Sequence, residues 1–185
     1  MDRDGTLNVD TGYVSRPEDV RLIDGAALGA RTLAQAGFAL VITSNQSGIA
    51  RGIMTSAQAD AVDARVLELL RREDVLVAGL YRCPHLSEGR VREYAVECDC
   101  RKPKPGMILQ AASELDLDLA SSWSVGDSER DVQAGLAAGC RAILLDPEAD
   151  PKVRRNIQTG ADAPGREVAV AKNLLEAAGI IIASP

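Results

Sequence analysis

Residues 2–6 of the 185-residue chain read Asp-Arg-Asp-Gly-Thr (DRDGT), with only Met1 ahead of them. Asp2 and Asp4 flank one residue and run into a glycine turn before any apolar strand has appeared. Two carboxylates so placed can be an acidic turn in solvent or part of a site; a sheet rim beside them would decide for the site.

The rest of the chain supplies such a rim. Gly25 to Ala36 has helical composition and stops at Gly37, a C-terminal helix signal. FALVIT, Phe38 to Thr43, is a continuous apolar run of strand length. Thr55 and Gln58 have capping-box spacing, and Val62, Val66, Leu69 and Leu70 give the following helix an apolar stripe. Val77 to Tyr81 reads as a strand, Pro105 to Leu115 as a helix, Trp123 to Val125 as a strand, Arg130 to Ala138 as a helix and Arg141 to Leu145 as a strand. Alternation of this kind predicts an α/β fold, a Rossmann-like doubly wound parallel sheet covered on both faces, with its ligand site beyond the carboxyl ends of the strands. Asp146 to Gly165 reads as a connection, Val168 to Val170 as an edge strand and Asn173 to Ala178 as a last helix. No Pro-, Gly- or Ser-rich tract divides residues 1–185, so one domain is expected.

With 27 acidic against 21 basic side chains the formal charge is -6, and aromatics make up only 3 % of the chain. Nucleic acid as a partner is disfavoured, since phosphate contacts need a basic face and single strands need stacking platforms. No apolar run approaches the roughly 18 residues of a membrane span, so the expectation is a cytoplasmic protein without a membrane partner, acting as a monomer on a small molecule.

Three polar signals follow strand-like segments: Ser44-Asn45-Gln46-Ser47 after FALVIT, Arg101-Lys102-Pro103 after a Cys-rich loop, and Gly126-Asp127 with Asp131 after WSV. Together with DRDGT they put carboxylates, a hydroxyl and a cation on one rim, and the i, i+4 spacing of Asp127 and Asp131 suits one side of a helix's first turn. Spacing alone supports an acidic site for a hard, oxygen-liking dication. A calcium loop of the EF-hand kind fails, because Gly5 is the fourth residue counted from Asp2 and the twelfth is Tyr13.

In this order, DRDGT, Ser44-Asn45, Lys102 and GDSERD resemble the four motifs of the haloacid dehalogenase superfamily of phosphatases. The resemblance implies that Asp2 is the nucleophile that becomes an aspartyl-phosphate and that Asp4 is the acid and base. Ser44 and Lys102 would hold the phosphoryl oxygens, and Mg²⁺ would be bound by Asp2, Asp127 and the main-chain carbonyl of Asp4.

The stretch CPHLSEGRVREYAVECDC offers Cys83 and His85, then, after twelve intervening residues, Cys98 and Cys100. One imidazole and three thiolates make a full tetrahedral set for a structural Zn²⁺. Disulfides and inert thiols are the rival readings, and a reducing cytosol disfavours disulfides. His85 is the only histidine, so a zinc role for it leaves acid and base work to carboxylates. A cysteine-phosphatase signature fails, since Cys83 and Arg90 have six residues between them where five are needed. Cys140 reads as a small buried residue.

This loop, with NVDTGYV, SNQSGIARG and CRKPKPGM, resembles the D-glycero-D-manno-heptose 1,7-bisphosphate 7-phosphatases from residue 2 to about 145. What that implies is a minimal cap, a sugar bisphosphate substrate and a role in making nucleotide-heptose precursors of the lipopolysaccharide core. Asp10, Thr11, Gly12 and Tyr13 would form a flap over the sugar. Asn45, Gln46, Ser47 and Arg101 would contact its hydroxyls or second phosphate. Histidinol-phosphate phosphatases are similar but have a shorter loop between the zinc-binding histidine and the next cysteine. A third alternative is a truncated, non-catalytic module stabilised by zinc.

Superfamily members carry the nucleophile at the end of a central apolar strand, and only Met1 stands here before Asp2. The expectation is a sheet lacking its central strand, from a chain start placed too late or a true truncation. Such a chain would fold poorly or differently, since each orphaned ladder bond costs about 1 to 3 kcal/mol.

Overall fold

The computed structural model describes residues 1–148, 155–156 and 167–184. Its elements run α1 (Ala26–Gln35), β1 (Val41–Asn45), α2 (Ser56–Arg72), β2 (Gly79–Cys83), α3 (Gly106–Leu115) and β3 (Trp123–Gly126). They continue through α4 (Glu129–Ala138), β4 (Arg141–Leu145), β5 (Arg155–Asn156), β6 (Glu167–Ala171) and α5 (Leu174–Ala183). Strand and helix alternate as the sequence predicts. The expected connection over Asp146 to Gly165 lies mostly outside the described residues; within it, β5 is a strand the sequence reading missed.

Local chemistry sets the helix ends. In α2 the Thr55 hydroxyl accepts from the Gln58 N–H while the Gln58 side chain accepts from the Thr55 N–H, so both halves of the capping box form. Val62, Val66 and Leu70 on that helix are fully buried, and Asp63 shares their face. On α1, Gly29 permits close packing against α5, because a Cβ there would stand 2.7 Å from the carbonyl carbon of Leu174.

β1 and β2 pair in parallel from Val41 opposite Gly79 to Asn45 opposite Cys83. FALVIT therefore enters the ladder later than expected and leaves it later. Phe38 and Ala39 have no strand opposite them, whereas Ser44 and Asn45 face Arg82 and Cys83 and are strand residues. The other strands run in the order β3-β4-β6-β5, parallel except for the β5–β6 pair. β6 is thus interior, not the edge strand expected for Val168 to Val170, because β5 covers its outer side.

Among the described residues the sheet is in two pieces, and Met1–Asp2 lies between them at the carboxyl end of the gap. The Met1 nitrogen donates to the Val41 carbonyl at 2.8 Å, Thr43 N–H to the Met1 carbonyl at 2.9 Å, and Asp2 N–H to the Val125 carbonyl at 2.9 Å. These are parallel-ladder bonds to both sides, and they set Asp2 on the rim. Behind them an apolar slot of about 100 Å³ continues between Phe38, Val41, Trp123 and Val125. One apolar cluster nonetheless runs across the gap, from Ile42 and Val66 to Val125, Ile143 and Leu174. This packing joins the two pieces behind the ladder bonds of Met1 and Asp2.

Candidate active site

Three chain segments reach the same rim: Met1–Asp2, the end of β1 with Gln46 after it, and the end of β3 with Asp127. Lys102 comes in from the loop before α3. Its Nζ donates to Asp2 Oδ1 at 2.6 Å and to the Thr43 carbonyl at 2.6 Å, and lies 2.7 Å from Asp131 Oδ1. All three ammonium protons are therefore engaged. Lys102, Asp2 and Asp131 are all buried. Burial works against the lysine's charge, but Asp2 and Asp131 outweigh it and hold its pKa above the ordinary value. Burial pushes the Asp2 carboxyl up to about 6; the Lys102 charge opposes this and the Asp131 charge adds to it.

Asp127 sits ahead of α4 rather than in its first turn as the spacing suggested. Ser128 is the cap residue, and Asp131 completes a capping box by accepting from the Ser128 N–H at 3.1 Å. Asp131 thus both caps the helix and pairs with Lys102. The sequence reading noted its spacing but gave it no site role, although a capping-box acid four residues after Asp127 was visible. Asp127 is pushed above the ordinary carboxyl range by burial and then by the Asp131 charge.

One oxygen each from Asp2, Asp127 and Asp131 lies within 4.8 Å of the others. Gly5 makes room for this cluster: it adopts φ +78°, and a Cβ on it would stand 2.0 Å from Asp127 Oδ2. An all-carboxylate set at this spacing suits a hard dication such as Mg²⁺.

The Asp4 side chain is not part of this cluster. Its Oδ1 accepts from Arg3 Nε at 3.1 Å and Asn8 Nδ2 at 2.8 Å, and its Oδ2 from Arg3 Nη2 at 2.8 Å and Gln46 Nε2 at 2.5 Å. Asp4 still lines a cavity of about 300 Å³ with Asp2, Asp10, Gly12, Tyr13, Asn45, Gln46, Ser47, Lys102 and Asp127, joined by Ser128, Arg130 and Asp131. Ser44, Thr11 and Arg101 are not among its walls. Ser44 Oγ accepts from Gln46 Nε2 at 2.9 Å, and Arg101 Nη1 donates to the His85 carbonyl at 3.2 Å. Asn45 spends its amide on the main chain of Lys102, donating to its carbonyl at 3.0 Å and accepting from its N–H at 3.1 Å.

A second cluster lies on the loop after β2. Cys100 Sγ is 2.9 Å from Cys83 Sγ and 3.4 Å from Cys98 Sγ, with Cys83 and Cys98 3.6 Å apart. His85 Nδ1 lies 3.4 Å from Cys100 Sγ and 3.9 Å from Cys83 Sγ. The four ligand atoms all lie within 4.8 Å of one another, a grouping that one tetrahedral ion could take with small adjustments of the thiols. All four cysteines are free, and Cys140 is buried as expected.

A parallel α/β sheet with a lysine-held carboxylate and two further acids at its carboxyl rim has the make-up of a haloacid-dehalogenase-type hydrolase. Residues 99–177 match the HAD-hydrolase-like family model. The chain is 43 % identical over 171 residues to D-glycero-beta-D-manno-heptose-1,7-bisphosphate 7-phosphatase of Escherichia coli K12, covering 89 % of this chain and 90 % of that one. Against the protein of the same name from Yersinia pestis it is 48 % identical over 145 residues, 78 % of this chain and 77 % of the relative. The crystal structure of D,D-heptose 1,7-bisphosphate phosphatase from B. bronchiseptica, complexed with magnesium and phosphate, superposes with a TM-score of 0.77 at 32 % identity, over 98 % of this chain and 95 % of that one. The chain belongs to this family of heptose bisphosphate phosphatases within the haloacid dehalogenase superfamily.

Proposed function

We propose that the chain is a Mg²⁺-dependent phosphoric monoester hydrolase that removes the 7-phosphate of D-glycero-D-manno-heptose 1,7-bisphosphate. The observation that carries the reading is the Asp2–Lys102–Asp131 arrangement at the end of the cavity. It holds one carboxylate oxygen of Asp2 in place and leaves the side chain facing the space where a phosphoryl group would lie.

Asp2 attacks phosphorus, the bond to the sugar oxygen breaks, and Asp4 gives its proton to the departing alkoxide. In the second half Asp4 takes a proton from water, the water oxygen bonds to phosphorus, and the bond to Asp2 breaks. Lys102 offsets negative charge throughout, being fixed before the reaction begins. Asp2, Asp127 and Asp131, with the Asp4 carbonyl, are the residues that would hold Mg²⁺, which when bound neutralises phosphoryl charge. Asp10, Gly12, Tyr13 and Ser47 on the cavity wall suit a polar sugar, with Thr11 beside them in the flap. Ser44, Asn45 and Gln46 act here through Asp4 and Lys102. Arg101 would meet the second phosphate after leaving the His85 carbonyl.

The Cys83, His85, Cys98 and Cys100 set binds Zn²⁺, which braces a loop of little apolar content. In this reading the protein is a cytoplasmic monomer of one domain that acts in the synthesis of nucleotide-heptose precursors of the lipopolysaccharide core. Among the described residues no helix is long and apolar enough to cross a membrane.

The test is phosphate release from heptose 1,7-bisphosphate, with histidinol phosphate assayed beside it and ³¹P NMR reporting which phosphate leaves. Magnesium-dependent loss of the 7-phosphate supports the reading. Preference for histidinol phosphate, or no release from either compound, overturns it.

A further inference from the structure

A line of alternating charges runs from the Asp4 side chain through the interior to a second cleft. Arg3, 1 % exposed, grips Asp4 along one edge of its guanidinium and donates from Nη1 to Asp63 Oδ1 at 2.5 Å. Asp63 Oδ2 accepts from Arg82 Nη1 at 2.6 Å, and Arg82 Nη2 donates to Asp60 Oδ1 at 2.6 Å. Asp63 is 6 % exposed and lies on the core face of α2 beside Val62 and Val66, where an unpaired charge would be strongly disfavoured. Arg82 and Asp60 reach a separate cleft lined also by Leu67, Leu80 and Pro84.

We infer that Asp63 is a positioning residue for the acid and base Asp4, acting through Arg3. The inference rests on the phosphatase reading above. A guanidinium is planar and its donors diverge in fixed directions, so anchoring Nη1 on Asp63 fixes the orientation of the edge made by Nε and Nη2. That edge holds both oxygens of Asp4. Gln46 and Asn8 add contacts to Asp4, but each does so through a single rotatable amide. Arg82 in turn holds Asp63, tying α2 to β2 one residue ahead of Cys83. Without Asp63 the plane of Arg3 is released, and Asp4 loses the direction from which it delivers a proton.

Leaving-group dependence separates this role from a purely structural one. Expelling a sugar alkoxide requires the proton from Asp4, whereas p-nitrophenolate leaves without one. For both substrates kcat/KM reports events up to the first irreversible step, which here is transfer of phosphorus to Asp2. Asp63→Asn is expected to lower kcat/KM for heptose 1,7-bisphosphate about tenfold more than for p-nitrophenyl phosphate, with KM for the sugar little changed. Equal losses on the two substrates, or no loss, overturn the inference while leaving the phosphatase reading intact. Should Asp63→Asn fail to fold, Arg82→Gln, at the more accessible end of the line, is expected to show the same selective loss in smaller degree; an unselective effect there is equally adverse. If the unaltered protein hydrolyses neither compound, the phosphatase reading falls, and a crystal structure of Asp63→Asn or Arg82→Gln decides the positioning question alone. An Asp4 carboxylate turned from its present plane supports it, and an unmoved one refutes it.

Discussion

Lys102 Nζ stands 2.6 Å from Asp2 Oδ1, although a hundred positions separate the two in the chain. Asp131 lies on the other side of the same ammonium at 2.7 Å. The lysine is therefore the charge that allows two buried carboxylates to share one rim, and it organises the site before any ligand arrives. Replacing it with Met should lower kcat/KM by about 10² or more and destabilise the fold by about 3 to 5 kcal/mol, since two like charges would remain buried without their counter-ion. Steady-state kinetics and urea unfolding measure the two effects.

Asp2→Asn should abolish turnover without loosening the fold. Burial raises the Asp2 carboxyl from 3.8 to about 6, so its contribution to stability is fully present below pH 3.8 and is lost as pH rises through about 6. At pH 7 the metal-free protein carries an ionised carboxylate in a poorly solvated place, and the neutral amide relieves it. Melting curves of the metal-free proteins at pH 7 should show the variant no lower than the unaltered chain, with its advantage fading toward pH 4. A variant melting well below the unaltered protein at pH 7 would contradict this.

Gly5→Ala tests the turn beneath the acidic cluster. The added Cβ needs the space of Asp127 Oδ2 and must adopt φ +78°, so Asp127 has to move. Mg²⁺ affinity, followed by calorimetry, should weaken by about tenfold or more, while heat stability falls by about 1 to 3 kcal/mol. Unchanged magnesium binding would mean that Asp127 is not held where the dication sits.

Removing one cysteine of the second cluster should be a matter of stability. Cys98→Ser is expected to bring the zinc content measured by mass spectrometry from one ion per chain to well below it. Protease cleavage between residues 86 and 97 should increase at the same time, because that loop has few buried apolar residues besides Leu86. Zinc-free protein with the same protease resistance would refute a bracing role.

The slot behind Met1 makes a prediction about pairing. Val41 and Val125 offer their carbonyls to Met1 and Asp2, while Leu40 and Ser122 bond away from the slot, to Ala78 and Arg141. By strand alternation Ala39, Val41, Trp123 and Val125 all turn main-chain groups toward it. Adding about four alternating Val and Ile residues ahead of Met1 should raise the melting temperature by several degrees, as each ladder bond made contributes about 1 kcal/mol. The same extension with Pro at alternate positions should give no gain, and an equal gain from both would sink the pairing account.

How far the chain could be read depended on the range of the physics involved. Helix ends were legible because caps are made by neighbours in sequence: Thr55 with Gln58, and Gly37 after α1. Asp127 was legible because it follows a segment whose apolar character marks a buried strand, and the rim beyond such a strand is where polar groups gather; Asp2 and Lys102 follow no apolar strand and were legible only through the order of the motifs. The spacing of Cys83, His85, Cys98 and Cys100 likewise marked one cluster. Strand limits were less legible. FALVIT looks like a strand over its whole apolar length, but Phe38 and Ala39 face the slot, and only pairing with β2 decides which residues are extended in a ladder. The interior place of β6 was hidden too, since it depends on a distant two-residue strand.

The sequence by itself determined the alternation of elements, the residue types at the rim and the grouping of one histidine with three cysteines on the loop after β2, because these follow from periodicity and from side-chain chemistry. Only the tertiary structure decided that Asp131 shares Lys102 with Asp2, that Gln46 and Asn45 serve Asp4 and Lys102, and that Arg3 ties Asp4 to Asp63. Those relations join residues far apart along the chain, and burial decides them: a charge removed from water must find its partner in whatever packs against it.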